Sequence, residues 1–136
     1  MNLLMFCSVF ILQFMGHRLG DYFFQTNAQA VQKANNWLAR LRHCLVYSVV
    51  VASLTLFVVD WKVALIIFAI TIVEHMWIDS RKPIVKYKEF LERKIARTKD
   101  FKVEDLPFFV IVDIDQTVHY LRIFIISLLI AYGVIA

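Results

Sequence analysis

Turn-forming residues are scarce in this chain, with three glycines and two prolines among 136 residues. Charge is scarce too: charged residues make up 19% and hydrophobic residues 60%, and mean hydropathy is +0.66. That balance is far from an average soluble domain and assigns the chain to the bilayer. The two cysteines, Cys7 and Cys44, form no C-x2-C pair and fall at opposite ends of the expected bundle, so no disulfide is expected and both read as small buried apolar residues. No phosphate loop, nucleophile elbow or H-E-x2-H helix is present, and no nucleic-acid module accompanies the basic residues. The first segment lacks the basic start and small-x-small cleavage site of a signal peptide and is expected to be retained.

What the chain has is long apolar runs. Leu3 to Phe24 is interrupted only by Gln13 and the His17 to Asp21 cluster; Cys44 to Val59 and Val63 to Ile78 carry one acid, Glu74. A fourth run, Phe108 to Ala136, carries the Asp115 to Arg122 cluster and is then uncharged. With their polar turns included, all four approach the roughly 20 residues that a helix needs to span a bilayer. The expected fold is therefore all-α, an integral-membrane four-helix bundle in a single domain covering residues 1–136, with spans at about 3–25, 43–60, 63–80 and 107–135.

Basic residues set an expected orientation. Lys33, Arg40 and Arg42 lie between the first two spans with no acid. Arg81, Lys82, Lys86, Lys88, Arg93, Lys94, Arg97, Lys99 and Lys102 lie between the last two, so the two connections hold twelve of the 15 Lys and Arg. The positive-inside rule puts both connections in the cytoplasm and both termini outside, in a multi-pass inner-membrane protein. Within the longer connection, Pro83 suits a first helical turn, and Ile84, Tyr87, Leu91 and Ile95 recur at helical spacing among lysines and arginines. This predicts a cytoplasmic amphipathic helix, lying on anionic lipid headgroups or forming a solvated hairpin. Asn35 and Asn36 mark a break, and Trp37 an interface anchor.

All four histidines lie in or at the ends of the apolar segments. Three have an aspartate four residues away: His17 with Asp21, His75 with Asp79, Asp115 with His119. A spacing of four puts both groups on one helix face. With both basic connections on one side, all three pairs and His43 reach the same membrane depth. Gln13, His17, Asp21 and Gln25 continue one stripe, Tyr47 stands one turn after His43, and Gly16 with Gly20 forms a small-x3-small pair suited to packing inside the bundle. Glu74, about 100° around the helix from His75, is expected to support a neighbour or contact another helix.

The string His17-Arg-Leu-Gly-Asp21-Tyr-Phe-Phe-Gln25, with His43 and Tyr47, His75-x3-Asp79 followed by Lys82, and Asp115-Gln116-x2-His119, resembles a family of small bacterial and phage membrane proteins classed only as a domain of unknown function. The resemblance runs over nearly the whole chain and implies site residues rather than an activity.

Imidazole and carboxylate on facing helices are ligands for a divalent metal ion such as zinc, iron or manganese. The candidate ligands are His17, Asp21, His43, His75, Asp79, Asp115 and His119, with Gln25, Tyr47 and Gln116 as further polar site residues. The expected function is a metal-dependent hydrolase acting near the inner leaflet, with Asp21 or Asp79 as general base and Arg122 or Lys82 holding an anionic group. A proton or metal-ion carrier, and a non-catalytic protein that modulates a membrane partner or a second copy of itself, are the alternatives. In these the polar groups are a relay or a lock.

The orientation is tested by cysteine labelling. With Cys7 and Cys44 replaced by alanine, single cysteines at positions 2 and 136 react with impermeant thiol reagents from outside the cell, and one at position 98 does not. Outside labelling at 98 with silent termini reverses the assignment.

Overall fold

A computed structural model describes all of residues 1–136. The fold is all-helical, with six α-helices. They are α1 (Leu3–Arg18), α2 (Asn27–Gln32), α3 (Trp37–Thr55), α4 (Trp61–Ile78), α5 (Lys82–Phe90) and α6 (Phe108–Ala131). Wider π-helical turns extend α1 through Leu19–Phe23 and α5 through Leu91–Ile95. The extended α1, α3, α4 and α6 are each long and apolar enough to cross a membrane.

Local chemistry explains the boundaries. Asn36 caps α3 by accepting from the Leu38 and Ala39 amides, so this helix starts at Trp37, before the expected residue 43, and ends at Thr55 rather than 60. Asp60 caps α4 through the Val63 amide, moving that start from 63 to Trp61. Between α1 and α3, where only a polar connection is expected, Thr26 and Gln29 form a reciprocal capping box that begins the short α2. The amphipathic segment forms α5, with Pro83 in its first turn; Ile84 packs with Ile78, Val103 and Ile111 in a small satellite core. Both cysteines are free, Cys7 exposed and Cys44 buried.

The bundle has two interiors. Toward the end that holds the chain termini, Val9, Tyr47, Val51, Val63, Ile67, Ile126 and Ile130 form the main apolar core. Toward the other end the interior is polar: His17, Asp21, His43, His75, Asp79 and His119 are all buried. Leu4, Phe57, Leu65, Val73, Leu121 and other large apolar side chains face outward, as a lipid-facing surface requires.

Close approach of α1 and α3 brings the polar ends together. A methyl group at Gly16 would stand 2.9 Å from the Val51 Cα, and one at Gly20 would stand 2.5 Å from Tyr47 Cδ2. The Tyr47 ring is also stacked on His75, so it has little room to yield. Gly20→Ala is therefore expected to cost about 1–3 kcal/mol through overpacking, read as a lower melting temperature in detergent. An unchanged melt shows that the helices separate freely at this point.

Candidate metal centre

The wide turn Leu19–Phe23 ends the first span and holds Asp21 inward while Tyr22 and Phe23 face out. Such turns recur at functional sites because they re-aim one side chain within a helix. His43 and Tyr47 come from α3, Glu74 and His75 from α4, and Asp115, Gln116, His119 and Arg122 from α6. Asp79 is the residue that closes α4. The imidazoles pack ring to ring, with centroids 5.1 Å apart for His43 and His75, 4.3 Å for His75 and His119, and 5.4 Å for His17 and His119.

Four atoms converge most tightly. His43 Nε2 stands 3.0 Å from His75 Nε2, 3.0 Å from Asp21 Oδ1 and 3.4 Å from Asp79 Oδ2. His75 Nε2 is 3.3 Å from the same Asp21 and Asp79 oxygens. An imidazole Nε2 carries at most one N–H, aimed in one direction, so these five contacts cannot all be hydrogen bonds. Donor atoms around a tetrahedral ion with bonds of roughly 2.0–2.1 Å stand about 3.3–3.4 Å apart. The measured separations are therefore close to those of a metal seat.

A chain of hydrogen bonds fixes the proton positions beside it. Arg122, which can only donate, gives Nη2–H to the Tyr47 hydroxyl at 3.0 Å. Tyr47 donates to His17 Nδ1 at 2.7 Å, His17 Nε2–H to Gln116 Oε1 at 2.8 Å, and Gln116 Nε2–H to Asp21 Oδ2 at 3.2 Å. A carboxylate, which can only accept, ends the chain and turns its other oxygen to the four-atom seat. His17, expected as a ligand, thus has both ring nitrogens engaged. It orients Gln116 and through it Asp21.

The other candidates divide between the seat and its supports. Asp21 and Asp79, expected as general bases, each direct an oxygen into the seat. His75 is oriented by stacking on Tyr47, centroids 3.8 Å apart, while its Nδ1 has no hydrogen-bond partner. The Gln25 amide nitrogen is 3.0 Å from both ring nitrogens of His43, which puts it over the ring rather than in line with either. Asp115 and His119 lie beside the seat; His119 Nδ1 is 3.1 Å from Glu74 Oε1. Arg122 is held by Gln13 and Tyr47 at 3.0 Å and by Glu74 at 3.4 Å, on the side away from the α5 end. Lys82 is exposed at the start of α5, outside the cluster.

One participant escapes the sequence reading. Lys33, from the end of α2, is buried with Nζ 3.1 Å from Asp79 Oδ2 and 4.0 Å from Asp21 Oδ1. Burial alone would favour its neutral amine, but Asp79, Asp21 and Asp115 outweigh it and hold the pKa above the usual lysine value. No periodicity marks Lys33, because it closes the short helix α2 just before the Asn35 and Asn36 break. Its only sequence signal is that no acid accompanies it in its own connection.

Formal charge favours a cation. Apart from the imidazoles, the only cations within ion-pair distance of Asp21, Asp79, Asp115 and Glu74 are Lys33 and Arg122, which leaves two negative charges in the cluster if the imidazoles are neutral. An uncompensated charge in an apolar interior costs several kcal/mol. One divalent ion, or two imidazolium protons, restores balance. A cleft of about 180 Å³ lined by Asp21, Tyr22, Lys33, Arg81, Phe108 and Asp115, among others, reaches the cluster from the α2 and α6 side.

The chain belongs to a family described as protein of unknown function (DUF3307), which matches residues 9–135 and so includes the whole cluster. No curated protein and no solved structure matches it.

The hydrogen-bond chain predicts the effect of a single missing oxygen. Tyr47→Phe strands His17 Nδ1 and one Arg122 N–H in a buried setting and is expected to cost on the order of 1–3 kcal/mol. Thermal denaturation in detergent measures this. A melt equal to that of the parent shows that the hydroxyl is not part of a working chain.

Proposed function

We propose that this is a membrane-embedded, metal-dependent hydrolase. In this reading Asp21, His43, His75 and Asp79 hold a zinc, iron or manganese ion, and the substrate is a lipid headgroup or another amphiphile at the inner leaflet. The observation that carries the proposal is the convergence of two imidazole nitrogens and two carboxylate oxygens at 3.0 to 3.4 Å, more contacts than the two Nε2 atoms have N–H groups to satisfy. The charge deficit of the cluster adds to it.

A divalent ion held by Asp21, His43, His75 and Asp79 would supply a water-derived nucleophile near neutral pH for hydrolysis of an ester, whose leaving oxygen would take its proton from solvent. Water and substrate reach the cluster through the cleft beside Asp21, where Lys33 and Arg81 can meet an anionic group. These two replace Lys82 and Arg122 in that role, since Lys82 is exposed outside the cluster and Arg122 is committed to Glu74, Gln13 and Tyr47. The twelve basic residues of the two connections orient this end toward the cytoplasm.

A carrier needs a polar route through both halves of the bundle. Beyond Gln13 and Ser127, which are hydrogen-bonded to each other at 3.1 Å, the interior is the apolar core around Val9, Ile67 and Ile130. That packing supports a site reached from one end.

Elemental analysis of protein purified in mild detergent without chelator is expected to find tightly bound transition metal. His75→Ala and Asp21→Ala should lose it, together with turnover of phosphatidylethanolamine and phosphatidylglycerol vesicles followed by mass spectrometry, while circular dichroism stays helical. Spans held by lipid and packing survive the loss of one ligand. If the parent protein binds no metal and the variants only melt earlier, the cluster is a structural lock. A fully active Asp79→Asn variant excludes a carboxylate role at that position.

A further inference from the structure

The two oxygens of Asp79 face different partners. Oδ2 belongs to the four-atom seat, whereas Oδ1 is 3.7 Å from His119 Nε2. Asp115 Oδ1 reaches the same nitrogen at 4.0 Å. Asp79 Oδ1, Asp115 Oδ1 and His119 Nε2 are all buried without a hydrogen-bond partner.

Their neighbours occupy the other atoms of His119 and Asp115. His119 Nδ1–H donates to Glu74 Oε1 at 3.1 Å, and Arg122 Nε is 3.4 Å from Glu74 Oε2, so the carboxylate is fixed and the ring proton sits on Nδ1. A carboxylate that holds the far nitrogen of an imidazole in this way is the usual support of a histidine ligand. On the other side, Gln116 Nε2–H approaches Asp115 Oδ2 at 3.4 Å and leaves Oδ1 open. Three buried atoms without hydrogen-bond partners thus lie close together, and the two carboxylate oxygens among them repel unless positive charge lies between them.

We propose that Asp79 Oδ1, Asp115 Oδ1 and His119 Nε2 form a second divalent-cation seat, joined to the first through the Asp79 carboxylate as a bridge. This rests on the reading of the first seat as metal-binding and extends it to a two-metal centre. The separations of 3.7 and 4.0 Å are wider than those of the first seat, so an ion here would draw the three groups together. Asp115 lines the same cleft as Asp21, so both seats are reached from one side. Paired ions stabilise both the attacking and the leaving oxygen of an in-line displacement, which directs the centre toward phosphoester substrates.

The test is manganese titration of full-length protein in detergent after chelator treatment and its removal. Equilibrium dialysis counts the ions, and electron paramagnetic resonance reports whether they couple. Two ions per chain with a spin-coupled spectrum are expected. Asp115→Asn should retain one ion and give the simple spectrum of isolated manganese. One ion per chain in the parent protein overturns the second seat and leaves the first standing, as do two uncoupled ions whose number Asp115→Asn does not change. No bound ion in the parent removes both readings. The spectrum of the parent decides the matter even if the variant fails to fold.

Discussion

Uncompensated charge in an apolar bundle is the constraint on which the rest of this structure depends. Four carboxylates meet two cationic side chains in the interior of helices whose outer surfaces are apolar. Lipid offers no water to spread that charge, so each polar atom must find a partner inside the protein. The close contact of Gly16 and Gly20 with α3, the inward turn around Asp21 and the burial of Lys33 all serve this requirement. Each shortens the distance between groups of opposite character.

The same constraint gives the polar network a direction. Arginine cannot accept a hydrogen bond and a carboxylate cannot donate one, so the path from Arg122 through Tyr47, His17 and Gln116 to Asp21 has only one arrangement of protons. Glu74 plays the corresponding part for His119. Both paths end on groups, Asp21 and His119, whose remaining atoms face the centre of the cluster. The supporting residues therefore settle which histidines are free to bind a ligand, and His17 is not one of them.

That distinction marks the limit of what the sequence made legible. Four apolar runs and their lengths gave the four long helices, and the His-x3-Asp spacing gave a shared face in each of three of them, because helical periodicity is a local property. Whether a histidine on that face binds an ion or relays a hydrogen bond depends on what the opposite helix presents. His17 meets Tyr47 and Gln116, whereas His75 meets His43 and Asp21, yet both have an aspartate four residues on. Lys33 was not legible as part of the site for a related reason. It reaches Asp79 only because α2, a helix begun by the Thr26 and Gln29 capping box, folds back over the polar end.

Lys33 also bears on how such a cluster can exist before any ion arrives. Its ammonium lies 3.1 Å from Asp79 Oδ2, an atom of the proposed first seat, and is held in its charged form by the surrounding carboxylates. A tethered cation of this kind offsets part of the repulsion between Asp21 and Asp79 and lets the helices pack with both carboxylates buried. It does not complete the charge balance, because with Lys33 and Arg122 counted two negative charges remain if the imidazoles are neutral. The tether is also flexible. If an ion enters the seat, the four-carbon stem allows the ammonium to swing into the adjoining cleft, which Lys33 already lines. One residue would then serve two stages, neutralising the carboxylates while the seat is open and meeting an anionic substrate once it is filled. Under the hydrolase reading, this makes the position of Lys33 at the cleft as informative about substrate charge as the ligands are about the metal.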